Sequence, residues 1–211
     1  MKTDDLIRAM AADAPARTGT ARRHALGWLV VAIPCVALLF NFVFELRDDL
    51  LGEAALATVQ KLTFTVLLLA AAARGATILM SPDARLRDAV IWIAAPLAAL
   101  LVFIAGDLAF NNDGSVAERA IGETGLDCIL SLLALSLAPL AAFLYGMREG
   151  ASTRPGLAGA LAGVSAAALA ASFYALHCVE DSALFVGLWY GLGIALVGAI
   201  GYFAGQRFLR W

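Results

Sequence analysis

Six long apolar stretches constrain this chain more than any other feature of its sequence. A helix that crosses a bilayer needs about 20 mainly apolar residues, because the hydrocarbon core is roughly 30 Å thick and each residue rises about 1.5 Å. Of the 211 residues, 62% are hydrophobic and 15% are charged, whereas a soluble domain is roughly 25% charged. The stretches also lack the alternation of barrel strands. The sequence therefore predicts an all-α integral membrane bundle of six transmembrane helices, at residues 25–44, 62–80, 89–106, 128–145, 155–176 and 183–205.

The positions of the basic residues test this count and orient the bundle. Lys and Arg are enriched in short cytoplasmic loops of membrane proteins. With six spans, 12 of the 15 Lys and Arg residues fall on the side of the N-terminus. Omitting the second span would leave 6 on that side and 9 on the other, which reverses the rule. We therefore expect six spans and both termini in the cytoplasm.

The second span is the least apolar, since Lys61 and Arg74 leave 12 uncharged residues between them. Both residues lie near the ends of a longer apolar region, and long side chains can carry their charge to the interface on flexible stems. We expect them to reach opposite interfaces. A buried functional Arg74 is the alternative.

Charge and titratable groups exclude several function classes. The formal net charge of −2 offers no basic surplus for phosphate contacts, so direct nucleic-acid binding is not expected. The chain has two histidines, near opposite ends of the predicted bundle, and no intramembrane pair that would ligate haem. No catalytic triad, carboxylate pair or phosphate-binding loop is present. We predict a non-enzymatic protein without a cofactor.

The N-terminal tail, residues 1–24, contains the start and end signals of a short helix. Asp4 and Asp5 suit the positive N-terminal end of a helix dipole, and Pro15 predicts its end. Leu6, Ile7 and Met10 form one apolar stripe. Such a stripe can enter a groove on a partner, and the flanking charges match a basic membrane-surface helix poorly. The tail is therefore either a partner-binding segment or a solvated end, followed by a flexible tether at residues 16–21.

Two of the three cysteines are predicted at the same face of the membrane. Cys128 begins the fourth span and Cys178 follows the fifth, so antiparallel helices place them at similar depth, on the periplasmic side. A disulfide is feasible there, and thiolates bind soft metals, with His177 as a further ligand. Structural disulfide, redox or metal-responsive pair, and unrelated thiols all remain open. Cys35, inside the first span, is expected to be an inert packing residue.

Small residues four apart recur in the last two spans. The pairs are Gly159 with Gly163, Gly187 with Gly191, and Gly201 with Gly205. This spacing lets helix backbones approach closely in lipid. Packing within the chain is the favoured interpretation, with homodimerisation as the alternative.

The assembled features resemble the NrsF-type family of anti-sigma factors, which are regulators in the bacterial inner membrane, and the resemblance implies that location here. The likeness covers nearly the whole chain and is carried by the opening segment Lys2 to Ile7, by Cys128, and by the pair His177 and Cys178. The resemblance implies that the cytoplasmic segment, with Asp4, Asp5, Leu6, Ile7 and Met10, holds an extracytoplasmic-function sigma factor inactive. It also implies that outward-facing Cys128 and Cys178 respond to heavy-metal or oxidative stress. Cys35 is outside the family pattern.

A second function class fits the residues without the resemblance. A metal- or thiol-handling membrane transporter or oxidoreductase would use the same two cysteines and leave the tail incidental. Deleting residues 1–16 distinguishes the classes, because that deletion should release a sigma factor in the first and spare metal or thiol handling in the second.

Overall fold

The computed structural model describes residues 3–50, 52, 54–111 and 114–210, with side chains described except at residues 6, 10–26 and 29. Every regular element in these ranges is helical. The first is α1, Thr3–Val43, followed by α2, Ala55–Ile78. Next come α3, Leu86–Phe110, and the short α4, Val116–Ile121. The last three are α5, Gly125–Met147, α6, Pro155–Tyr174, and α7, Ala183–Phe208.

The described residues contain five helices long and apolar enough to cross a membrane, one fewer than the sequence predicts. They are α2, α3, the α4–α5 segment, α6 and α7. The predicted first span, 25–44, lies within α1, where the apolar stretch with described side chains is Val30–Val43, too short to cross by itself. Residues 25, 26 and 29 of that span lie outside the described side chains. The second span, the least apolar by sequence, is confirmed as a candidate.

Helix α1 also differs from the prediction for the tail. It continues without interruption past Pro15 and through residues 16–21, so the expected helix end and flexible tether are both wrong. A proline inside a helix removes one backbone hydrogen bond and bends the helix. The alanines at positions 9, 11, 12, 14 and 16 have the highest helix propensity of any residue and favour continuation.

Helix α6 is the centre of the bundle and packs against α7, α2, α5 and α1. Its buried positions are mainly alanine and glycine, which allow several helices to approach it at once. A Cβ built at Gly159 would lie 2.2 Å from the Gly201 carbonyl oxygen, and one at Gly163 would lie 2.4 Å from the Val197 oxygen. Two of the three predicted glycine pairs therefore form the α6–α7 contact within one chain. Gly191 differs, since its added Cβ would meet nothing within 4 Å.

Helix α3 lies at the edge of the bundle. Phe110, Leu101 and Val102 on it are strongly exposed, as expected for a surface that faces lipid tails. Pro96 cannot donate to the carbonyl of Trp92, and the chain adopts a 3₁₀ turn there, Ile91–Ile93. Arg74 of α2 is exposed and its guanidinium lies 4.8 Å from the Trp92 ring centre, so it is not a buried functional group.

Candidate functional site

One end of the bundle carries both candidate sensing cysteines, and we call it the thiol end. The end of α1, the start of α2, the end of α3, the start of α5, the end of α6 and the start of α7 meet there. The segment after α6, Ala175 to Ser182, which we call the Cys178 segment, runs between these helix ends. The helices alternate in direction as the sequence predicts, because the loops joining them are short.

The two cysteines of the thiol end are buried free thiols. Cys128 has 0% and Cys178 has 2% of its surface exposed, and neither is in a disulfide. Both belong to one cluster of buried apolar residues. Cys35 of α1 is half-buried and also free. The structure therefore brings the predicted thiol pair into a common core while leaving Cys35 apart from that cluster.

Hydrogen bonds tie the backbones of the two thiols into one frame. The Glu180 carboxylate, two residues after Cys178, accepts from the backbone N–H groups of Glu123 at 2.8 Å and Thr124 at 3.3 Å. The Thr124 carbonyl in turn accepts from the Cys128 N–H at 2.9 Å. A carboxylate at the first turn of α5 also suits the positive end of its dipole. Glu180 thus connects the Cys178 segment to the helix that carries Cys128.

Two cations hold the Cys178 segment from the side of α1 and α2. Arg47 Nη1 donates to the Cys178 carbonyl at 2.9 Å and to Asp181 Oδ1 at 2.7 Å. Lys61 Nζ donates to the same carbonyl and to the same carboxylate oxygen, each at 3.0 Å. Arg47 also binds Asp49 through Nε at 2.7 Å. We call these four side chains, Arg47, Asp49, Lys61 and Asp181, the ion cluster.

Lys61 corrects the expectation that it carries a free charge to the interface. Only 2% of its side chain is exposed, and its ammonium group is neutralised by Asp181 instead of by water. A buried ammonium requires such a partner because desolvation of an unpaired charge is costly. The sequence offered no signal for this pair, since Lys61 and Asp181 are 120 residues apart.

Contacts within the ion cluster shift the pKa values of Arg47, Asp49 and Asp181. Hydrogen bonding to Asp49 and then Asp181 raises the pKa of Arg47 well above its ordinary value. The Arg47 hydrogen bond lowers the pKa of the Asp49 carboxyl. Desolvation raises the pKa of Asp181, but hydrogen bonds from Arg47 and Lys61 and their positive charge outweigh it, so the net shift is downward. Arg47, Asp49 and Asp181 are therefore charged near neutral pH.

His177 is engaged with α1 and not with the thiols. Its Nδ1 lies 2.8 Å from the Glu45 carbonyl, and its ring centre lies 5.0 Å from that of Phe44 and 5.8 Å from that of Tyr174. Among the residues that the structure describes, no group of three His, Cys, Asp or Glu side chains is arranged to hold a metal ion. The predicted set of Cys128, Cys178 and His177 is thus not preassembled as a three-ligand site.

Two tyrosines near the thiols were missed by sequence reasoning. Tyr190 is fully buried, and its hydroxyl has no hydrogen-bond partner in the described part of the chain. Its ring centre lies 6.0 Å from that of Tyr174. Tyr190 ends a π-helical turn, Val186–Tyr190, a distortion that recurs at functional sites. An aromatic residue within an apolar span gives no sequence signal that separates this position from ordinary core.

The candidate partner-binding residues lie at the far end of α1. Asp4 and Asp5 occupy its first turn, and both are exposed, as is Ile7. The predicted contacts Leu6 and Met10 lie outside the residues whose side chains are described. At about 1.5 Å per residue, the 41 residues of α1 separate these positions from the thiol end by about 60 Å.

The fold and the site together define a class: a helical protein with several membrane-spanning candidates, a buried thiol pair at one end and an exposed acidic and apolar helix start beyond the bundle. The chain belongs to the NrsF family, whose model, described as negative regulator of sigma F, matches residues 10–211. It is 36% identical to the probable anti-sigma-F factor NrsF of Azospira oryzae over the full length of both chains. It is 35% identical to the anti-sigma-F factor NrsF of Caulobacter vibrioides, again over both full lengths. No solved structure matches the chain.

The family match confirms the resemblance seen in the sequence and indicates a regulatory protein. Its boundary also bears on the tail: the family model begins at residue 10, so Asp4, Asp5, Leu6 and Ile7 precede it. The two named relatives, in contrast, align with the whole chain.

Proposed function

We propose that this protein is a membrane-bound anti-sigma factor that holds an extracytoplasmic-function sigma factor inactive through residues 1–24. Membership of the NrsF family carries the proposal, because its relatives are named as anti-sigma-F factors and match over their full length. The proposed contacts with the sigma factor are the exposed Asp4 and Asp5 and the apolar stripe formed by Leu6, Ile7 and Met10.

We also propose that α1 supplies a sixth span in the inner membrane, with both termini cytoplasmic. Trp28 of α1 packs against Tyr145 at the end of the bundle opposite the thiols, with ring centres 5.1 Å apart. Phe44 packs against Tyr174 at the thiol end, with ring centres 5.8 Å apart. The intervening helix therefore runs the length of the bundle beside the five candidate spans, and a bilayer that contains them would also contain it.

Charge supports the same orientation. Of the basic residues, Arg47, Lys61 and Arg119 belong to the thiol end, and each lies within 3.5 Å of an aspartate oxygen. The remaining 12 basic residues of the sequence are assigned to the other side of the membrane, and this excess favours a cytoplasmic position for that side. The thiol end then faces the periplasm, which permits disulfide chemistry.

The proposed signal is a reaction of Cys128 and Cys178 with an oxidant or a soft metal ion. In the oxidative form the two thiols give one disulfide, a peroxide accepts the two electrons and both protons, and an alcohol and water leave. In the metal form the ion displaces both thiol protons and is bound by two thiolates. Burial of both thiols in one cluster supports a joint reaction over independent roles.

Deletion of residues 1–16 tests sequestration. We expect a sigma-dependent reporter to become constitutive while the protein remains in the membrane, because the bundle lies outside the deletion. A sharper pair of variants is Ile7→Ser and Arg8→Ser: both positions are exposed, but Arg8 lies on the other side of the helix from the stripe. Ile7→Ser should weaken co-purification of the sigma factor and Arg8→Ser should not. An unchanged reporter after deletion would refute sequestration by the tail.

Substitution of the thiols tests sensing separately. We expect Cys128→Ser and Cys178→Ser to keep repression and lose the response to cadmium, chromate or peroxide. Alkylation before non-reducing electrophoresis distinguishes the reactions, since a disulfide blocks both thiols until reduction and a bound metal does so until chelation. A full response in the Cys128→Ser, Cys178→Ser double variant would refute the sensing proposal.

A further inference from the structure

The main-chain carbonyl of Cys178 is the point at which Arg47, of the α1–α2 connection, and Lys61, of α2, hold the Cys178 segment. It accepts hydrogen bonds from Arg47 at 2.9 Å and from Lys61 at 3.0 Å. Both donors are cations, and bonds from charged donors are about twice as strong as neutral ones. Asp181 neutralises the same two cations three residues later. A single short segment therefore receives both Arg47 of the α1–α2 connection and Lys61 of α2.

The residues that follow α1 make two further close polar contacts with this segment. The Arg47 N–H donates to the Leu176 carbonyl at 3.2 Å, and the Glu45 carbonyl lies 2.8 Å from His177 Nδ1. The residues that extend α1 are thus bonded to successive residues of the Cys178 segment. A displacement of Cys178 changes the support of α1 directly.

A Cys128–Cys178 disulfide would fix the relative positions of the two backbones, because its bond length, dihedral angle and Cα separation are restricted. The S–S bond of a disulfide is about 2.05 Å long, and both thiols are buried, with 0% and 2% of their surface exposed. Cys128 lies in α5, with its N–H bonded to Thr124, whereas Cys178 lies in an irregular segment that yields more easily. The two bonds from the cations are 2.9 and 3.0 Å long, so a shift of the Cys178 carbonyl by about 1 Å away from both donors takes them beyond the limit of about 3.5 Å for a hydrogen bond.

We propose that Arg47, Lys61 and Asp181 are positioning residues that couple the chemical state of Cys178 to α1, with the bonded state corresponding to sigma-factor retention. This inference rests on the proposed function and adds the route by which the thiol end acts on the tail helix. A signal shifts such an equilibrium only through unequal stability of the two states, and here the inequality comes from the bonds at the Cys178 carbonyl.

The test compares Lys61→Met, Asp181→Asn, the double variant and the conservative Asp181→Glu in the full-length protein. Removing one member of a buried pair leaves an unpaired charge, whereas removing both is far less destabilising. We expect the double variant to remain abundant in the membrane and to raise the uninduced reporter about tenfold, since one lost bond to a charged group shifts an equilibrium by at least that factor. Asp181→Glu should retain repression. Glu118→Gln, which removes a charge at the same end while its amide oxygen can still accept in the capping box of α4, serves as the matched control.

A second readout is independent of the sigma factor. Cys178 should react about tenfold faster with a membrane-impermeant maleimide in the double variant than in the parent, in a background where the other two cysteines are serine, because opening exposes a thiol that is 2% accessible. A double variant that represses like the parent would overturn the coupling, whatever its labelling rate. If repression is also unaffected by deletion of residues 1–16, the proposed function fails; if that deletion releases the sigma factor, only the coupling fails.

Discussion

The close contact between α6 and α7 leads to a quantitative prediction for Gly159→Ala. The added Cβ would lie 2.2 Å from the Gly201 oxygen and 2.6 Å from the Gly205 Cα, both backbone atoms that cannot rotate away. The helices must separate by about 1 Å, because unstrained Cβ contacts begin near 3.4 Å. Overpacking costs about 1–3 kcal/mol, and rigid backbone neighbours place this site at the upper end. The higher helix propensity of alanine offsets about 1 kcal/mol of this cost, so we expect the free energy of unfolding to fall by about 2 kcal/mol.

Thermal unfolding in detergent, followed by circular dichroism, measures this loss. For a chain of this length about 2 kcal/mol corresponds to a fall in Tm of about 4–8 °C. Gly201→Ala should behave alike, since its Cβ would lie 2.3 Å from the Gly159 oxygen. Gly191→Ala is the matched control in α7, the helix of Gly201. Its added methyl meets no atom within 4 Å, so stability should stay equal or rise. Equal Tm values for Gly159→Ala and Gly191→Ala would refute the packing argument.

Three further predictions concern charge, the third cysteine and the opposite end. The pKa of Asp181 is lowered in the fold, so its contribution to folding stability is present above its unfolded pKa of about 3.9 and is lost as pH falls through the folded value. Between pH 6 and pH 3 the Tm of the parent should therefore fall further than that of Asp181→Asn. Equal falls in Tm would contradict this. Cys35→Ser should keep repression and induction in the reporter assay, since Cys35 is outside the thiol cluster; loss of induction would give it a sensing role. Arg74→Gln should lower stability by about 0.5–1 kcal/mol through its contact with Trp92, and no effect in the thermal assay would mean that the contact is immaterial.

Sequence patterns determined the features that depend on local composition. The apolar lengths of α2, α3, α5, α6 and α7 predict helices that cross a bilayer, and their alternation places Cys128 and Cys178 at one end. The four-residue spacing of Gly159 with Gly163 and of Gly201 with Gly205 predicts a close helix contact. Each of these inferences uses only the composition and spacing within single helices and the order of the helices along the chain.

The tertiary structure alone decided which distant polar groups meet. Lys61 lies 117 residues from the carbonyl it binds, and Arg47 lies 134 residues from Asp181. Their convergence depends on how α1, α2 and α6 pack, which no local pattern encodes. Burial explains why it matters: an ammonium as enclosed as that of Lys61 is stable only beside its partner. The apolar pattern therefore sets the helices, while their packing joins the thiol-bearing segment to α1 and fixes the candidate site.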